Sequence, residues 1–113
     1  MTDCIFCRIA AGEIPATLVD SDEQWVAFHD LNPQAPVHVL VIPRRHVPSL
    51  AATNEEDTEL LGRLLAAACR IARQLEVEDG FRVVINSGEA AGQSVFHLHA
   101  HLLGGRRLGW PPG

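Results

Sequence analysis

Six of the 113 residues are histidines, and three of them alternate: His97, His99 and His101, within Ser94-Val95-Phe96-His97-Leu98-His99-Ala100-His101-Leu102-Leu103. On a strand, successive side chains point to opposite faces, and residues two apart on one face lie roughly 6.5–7 Å from each other. The pattern therefore predicts a strand over Val95–Leu103 with a row of imidazoles on one face, while Phe96, Leu98, Ala100 and Leu102 bury the other. Such a row has three chemistries open to it. It can be a solvated or purely structural metal-binding run, a three-histidine catalytic zinc site, or a set of nucleophilic and acid–base groups acting on an anionic substrate. Imidazole suits the last because it titrates near neutrality and its neutral nitrogen is a competent nucleophile.

Other residues carry chemistry on their own. Cys4-Ile5-Phe6-Cys7 is a Cys-x-x-Cys pair: two buried thiols, a redox motif or half of a zinc site. The surrounding pattern lacks the βαβ context of thioredoxin-like redox proteins, and a zinc site would need two more ligands from elsewhere. Asn86 and Ser94 lie in breaker-rich loops, where they can satisfy backbone groups or face a ligand. His38 shares a strand face with Leu40 and Ile42, which reads as a core histidine. Cys69 falls among apolar helix positions and reads as a core residue, and Trp110 can anchor the tail by packing.

These residues need elements to hold them. Cys4–Ala11 reads as a short helix stopped by Gly12. Thr17–Val19 and Trp25–Phe28 read as strands joined by the polar turn 20–23. Positions 31–36, with two prolines, form a loop. Val37–Ile42 is β-branched and nearly all apolar, a central strand ended by Pro43. Thr53-Asn54-Glu55-Glu56 has the form of a capping box. From there Leu60, Leu61, Leu64, Leu65, Ala68, Ile71, Ala72 and Leu75 make one apolar stripe of a helix running to about Glu76. Phe81–Ile85 is a further strand and 86–92 a loop. Irregular alternation of four or five strands with one long and one short helix predicts an α+β domain on an antiparallel sheet.

At 113 residues the chain reads as a single domain, 1–113. Nine arginines and no lysine against fourteen carboxylates give a net charge of −5. This lacks the basic footprint that a nucleic-acid polymer demands. No run approaches the ~18 apolar residues of a membrane span, and the first residues show no secretory pattern. Three cysteines are too few for a disulfide scaffold. Together these features lead one to expect a cytoplasmic protein with reduced or metal-bound thiols.

The run His97-Leu98-His99-Ala100-His101-Leu102-Leu103 resembles the pattern that names the histidine-triad (HIT) superfamily. Further segments resemble its Hint branch of purine nucleoside phosphoramidases: Asp30–Pro36, Val39–His46, Gly92–Phe96, and the ending Gly104–Gly113 with Trp110-Pro111-Pro112-Gly113. The resemblance implies a HIT-like fold: a five-stranded antiparallel sheet joined across a homodimer into one of ten strands. It implies an enzyme that hydrolyses the P–N bond of nucleoside 5′-phosphoramidates. His99 would attack the α-phosphorus to form a nucleotidyl-histidine, which water would cleave to a nucleoside monophosphate. A backbone carbonyl of the preceding loop, around Gly92, would hold the other nitrogen of His99.

By the same likeness His101, Ser94, Asn86 and the backbone N–H groups of Gln93 and Ser94 would meet the phosphoryl oxygens, Ser94 also assisting departure of the amine. Asp30 would accept from the ribose hydroxyls, Phe28 and Leu31 would wall the base, and Trp110 would set specificity near a partner's site. Relatives with the cysteine pair imply a structural zinc on Cys4, Cys7, His46 and His97, with no cofactor required for catalysis; His97 would then anchor the catalytic strand rather than move protons. The expected partner is a purine nucleotide or nucleoside phosphoramidate. Alternatives are a hydrolase of dinucleoside polyphosphates, a nucleotide-binding regulatory module, and a small metal-binding protein.

Overall fold

Val37–Pro43 (β3) lies at the centre of the sheet, where a β-branched run that is apolar except for His38 belongs, with Val39, Val41 and Ile42 fully buried. The structure, a computed structural model, describes residues 3–113. Leu18–Ser21 (β1) and Trp25–His29 (β2) precede β3; Phe81–Val84 (β4) and Ala100–Gly104 (β5) follow it. The strand order is β1-β2-β3-β5-β4, antiparallel throughout. The α+β class and the five-stranded antiparallel sheet are as expected from the sequence.

Ile5–Ala10 (α1) and Thr58–Gln74 (α2) cover opposite faces of the sheet. The period of two on β3 separates the two cores. Val39 and Val41 join Ala27, Ala100 and Leu102 beneath Leu64, Ala68, Ile71 and Ala72 of α2. Leu40 and Ile42 join Val26 and Phe28 beneath Phe6 of α1. Position 104 must be glycine for packing: a Cβ there would lie 2.9 Å from Cβ of Val77.

Two boundaries differ most from expectation, each by five residues. The long helix starts at Thr58 rather than Thr53, because the capping box forms one residue later and on a 3-10 turn. The Asn54 side chain accepts from the Glu56 N–H at 2.8 Å, and Asp57 accepts from the Asn54 N–H at 3.0 Å. Thr53 instead donates its hydroxyl to the Leu50 carbonyl at 2.7 Å. The last strand starts at Ala100 rather than Val95. In register Val41 faces Ala100, so an extension would bring residues 97–99 beside Ile42, Pro43 and Arg44. Pro43 has no N–H to give to a ladder, and the chain turns aside so that the Leu98 N–H bonds the Val47 carbonyl at 2.6 Å. His97 and His99 thus stand on an irregular approach to β5, and only His101 lies in the strand. Leu98, Ala100 and Leu102 are buried as expected, but Phe96 is 49% exposed.

Candidate functional site

Four histidines gather on the sheet face that α2 leaves uncovered. His38 comes from β3, His101 from β5, and His97 and His99 from the turn before it. In three of the rings the proton is placed by a backbone group and in His101 by the His38 ring, which decides what the other nitrogen can do. A carbonyl oxygen can only accept, so the 2.7 Å contact from His99 Nδ1 to the His97 carbonyl requires a proton on Nδ1. In the neutral ring the lone pair is then on Nε2. The orienting acceptor is thus His97, not a carbonyl around Gly92: the tight turn folds His99 back onto its own segment.

His38 works in the opposite sense. Its Nδ1 accepts the Gln34 backbone N–H at 3.0 Å, so the proton of its neutral ring is on Nε2, which donates to His101 Nδ1 at 2.9 Å. His101 is then left with Nε2–H as its outward donor. Burial, with His99 and His38 as cationic neighbours when protonated, lowers the His101 pKa to about 4, against the opposing pull of Asp30. His101 is therefore a neutral hydrogen-bond donor near pH 7. Desolvation also lowers His38, again opposed by Asp30, whose Oδ2 lies 3.5 Å from Nε2. His38 was expected to be a core histidine; it is buried, but its contacts tie it to His101. The signal for this was a lone polar ring in an otherwise apolar strand.

The loop before the histidines is shaped by Gly88 and Gly92, both left-handed with φ of +93° and +98°. Gly92 brings the chain to Asn86, whose Nδ2 would lie 4.0 Å from a Cβ at position 92. Ser94 is exposed at the rim and Asn86 half-buried. Gln93 departs from its expected role as a ligand donor. It is 3% exposed, and its backbone N–H goes to the Gly88 carbonyl at 3.1 Å. Its side chain accepts from the Gly88 N–H and donates to the Pro48 and Val95 carbonyls at 2.8–3.0 Å. Gln93 clasps the loop from within.

Asp30 is half-buried, and its Oδ1 accepts the Asn32 N–H at 2.8 Å. Phe28 is buried against Phe6 with ring centroids 5.6 Å apart. Within one chain, Leu31 and Trp110 are not gathered to the histidines: they are 97% and 82% exposed. The Arg82 guanidinium holds the tail by donating to the Gly109 carbonyl at 2.7 Å.

A second cluster lies at the end of α1. The ligand atoms of Cys4, Cys7, His46 and His97 all fall within 4.8 Å of one another. His97 Nδ1 is 3.3 Å from Cys4 Sγ, 3.4 Å from Cys7 Sγ and 3.2 Å from His46 Nδ1, which is itself 3.2 Å from Cys7 Sγ. Tetrahedral zinc with bonds of about 2.0–2.3 Å has ligand–ligand edges of about 3.3–3.8 Å, so the four atoms fit that ion. The tautomer fits too. His97 Nε2–H donates to the Pro43 carbonyl at 2.7 Å, leaving Nδ1 with its lone pair toward the sulfurs. Desolvation lowers the His97 pKa, which favours that neutral ligand form.

Comparison with known proteins identifies the family and the fold. Residues 11–108 match the HIT domain family. The chain belongs to the HIT family. It is 54% identical over 111 residues to an uncharacterized HIT-like protein of Synechocystis, covering 98% of this chain and 97% of that one. It is 51% identical over 111 residues to the 14 kDa zinc-binding protein of Zea mays, covering 96% and 87% of the two chains. The fold superposes on a HIT family hydrolase of Legionella pneumophila with a TM-score of 0.97 at 46% identity, covering 98% and 100%. A histidine triad nucleotide-binding protein of Candida albicans gives 0.82 at 31% identity, covering 96% and 83%. This HIT chain thus carries two histidine clusters that share His97 but differ in what their rings are bonded to.

Proposed function

We propose that this HIT protein hydrolyses nucleoside 5′-phosphoramidates at the P–N bond, with His99 as nucleophile. The observation that carries the proposal is the His99 Nδ1–H bond to the His97 carbonyl, which leaves Nε2 as a lone-pair donor on a ring only 5.0 Å from His101. Nε2 attacks the α-phosphorus, a P–Nε2 bond forms and the bond to the amine breaks. The amine leaves with a proton from the Ser94 hydroxyl, which the attacking water returns to Ser94 in the second step. The carbonyl of His97 keeps its bond to Nδ1–H and stabilises the positive charge that develops on the ring. Water then cleaves the P–Nε2 bond, giving the nucleoside monophosphate and restoring neutral His99.

Charge on the phosphoryl oxygens is met by fixed neutral donors: His101 Nε2–H, Ser94, its backbone N–H, and Asn86. Asp30 takes the ribose hydroxyls, and Phe28 and Leu31 flank a purine base. The names of the Legionella and Candida relatives, a hydrolase and a nucleotide-binding protein, support the class of reaction and of ligand.

Cys4, Cys7, His46 and His97 would hold a structural zinc, a reading supported by the four-atom geometry above and by the name of the maize relative. When bound, the metal would cross-link α1 to the segments carrying His46 and His97. Its contribution would be to folding, with catalysis left to the imidazoles. We further propose a homodimer across β4 and α2, placing ten strands in one sheet and bringing Trp110 toward a partner's site. In its support, among the described residues β4 is an edge strand paired only with β5, and α2 exposes Leu65, Ala66 and Cys69, the last expected in the core, beside Gly62, which has no described atom within 4 Å of where its Cβ would be.

The test is release of AMP from AMP-lysine, with His99→Ala beside the parent and diadenosine tetraphosphate as a competing substrate. Release from the phosphoramidate, absent in the variant, is the expected result. Preference for the tetraphosphate would move the protein to the polyphosphate-hydrolase branch. AMP binding without turnover of either would make it a nucleotide-binding module.

A further inference from the structure

The short helix between the two cysteines does more than carry ligands. Phe6 is its one buried residue. The Phe6 ring stands edge-on to His99, with centroids 5.0 Å apart and planes at 86°, and edge-on to His97 at 6.0 Å and 74°. Beneath it lie Phe28, Val26, Leu40 and Ile42. The ring is therefore wedged between the apolar floor of the sheet and both histidines of the turn. Its position is fixed at each side by the cluster: Cys4 Sγ lies 3.3 Å from His97 Nδ1, and Cys7 Sγ lies 3.2 Å from His46 Nδ1. Cys4 also caps the helix, its sulfur accepting the Cys7 N–H at 3.3 Å.

Among the described residues His99 has one polar anchor, the His97 carbonyl two residues away. A single bond of this kind leaves the ring able to swing about it. An aromatic edge packed at right angles is directional in a way that an aliphatic side chain is not. We propose that Phe6 is a positioning residue for His99. Through α1 it keeps the imidazole on the His97 carbonyl, so that Nδ1 stays protonated and Nε2 stays aimed at the phosphorus. The cysteine–histidine cluster thereby acts on the reaction without touching the substrate. His97 links the two as well, with its ring in the cluster and its carbonyl on His99.

This rests on His99 acting as the nucleophile, but part of its test does not. Phe6→Leu keeps an apolar side chain under α1 and removes the ring edge. In 15N-labelled protein without substrate, the His99 ring of the parent is expected in one tautomer, Nδ1–H, by long-range proton–nitrogen correlation. In Phe6→Leu it is expected to average between the two tautomers. With the phosphoramidate as substrate, kcat is expected to fall about five- to tenfold while KM holds within about twofold. Phe6→Met gives the same contrast should leucine weaken the fold. A His99 tautomer unchanged from the parent in the variants overturns the proposal, as does an unchanged kcat. A parent that turns over no phosphoramidate removes the catalytic reading alone, and the ring measurement then decides the role of Phe6 by itself.

Discussion

The two clusters in this molecule use the same side chain for opposite ends. Around Cys4, Cys7, His46 and His97, the His97 proton is drawn away to the Pro43 carbonyl, and its lone pair converges with two sulfurs and a second imidazole. Around Asp30, His38 and His101, the ligand atoms are equally close, within 4.8 Å. There the Gln34 N–H occupies His38 Nδ1 and forces the proton onto Nε2, inside the cluster, where it bridges to His101. A cation at that point would have to displace a proton from a buried, already bonded ring. One cluster therefore turns its lone pairs to a common point, as a metal would require, and the other holds a proton between its rings. The difference is set by one backbone group behind each ring and not by the residues in front.

Removing the proposed nucleophile, His99, which stands beside His101 of the relay, has the largest expected effect. His99→Ala is expected to lower AMP release by at least about a thousandfold, since no other imidazole presents an oriented lone pair to the same point. Circular dichroism and sedimentation of the variant should match the parent. Turnover within tenfold of the parent would mean that the relay works without a covalent intermediate.

The metal cluster should show the next largest effect, in stability rather than rate. Elemental analysis is expected to give about one zinc per chain, not two, because the relay proton blocks the second cluster. Cys4→Ser with Cys7→Ser should lose that zinc. With free zinc at about a thousand times its dissociation constant, the lost stabilisation is on the order of 4 kcal/mol, read as a lower thermal midpoint. Two zinc ions per chain would erase the distinction between the clusters.

What the sequence revealed of these sites follows from how local each signal is. The alternation of His97, His99 and His101 announced itself because period two is a backbone property, and β3 was legible because nothing but a central strand tolerates Val39–Ile42. The start of β5 was not, since it depends on Pro43, fifty-odd residues away, refusing to extend a ladder. Gln93 was expected as a ligand donor through the family resemblance alone, by its backbone N–H. Only the fold brings the Pro48 carbonyl within 2.8 Å of its amide and turns it inward. His38 is buried as its strand position suggested, but its bond to His101 was not legible for a related reason. On its own strand it is one polar ring among apolar neighbours, and its partner lies 63 residues on.

That partner gives a finer test of the relay. His38→Phe keeps the ring volume but takes the donor from His101 Nδ1, so that nitrogen must either lose its bond or claim the proton now on Nε2. Either change weakens the donor facing the phosphoryl oxygens. A fall in kcat of about ten- to hundredfold is expected, with zinc content unchanged. A loss of zinc along with activity would mean that the clusters are not separable.

The smallest effect sharpens the same contrast through pH. His101 has its pKa lowered to about 4 in the fold, by burial first and by His99 and His38 next, while Asp30 pulls the other way; an unfolded histidine titrates near 6.5. Between those values the unfolded chain binds a proton that the folded chain refuses, so stability rises with pH there. The contribution is fully present above about 6.5 and is lost progressively as pH falls toward 4. Replacing the ring by a group that does not titrate, as in His101→Gln, should flatten the unfolding free energy across this window in denaturant titrations. His38 keeps a shift of the same direction and leaves a residual slope. An equal slope in parent and variant would show that the relay proton can be joined by a second one without cost, and the ring would then no longer be a neutral donor held so by its surroundings.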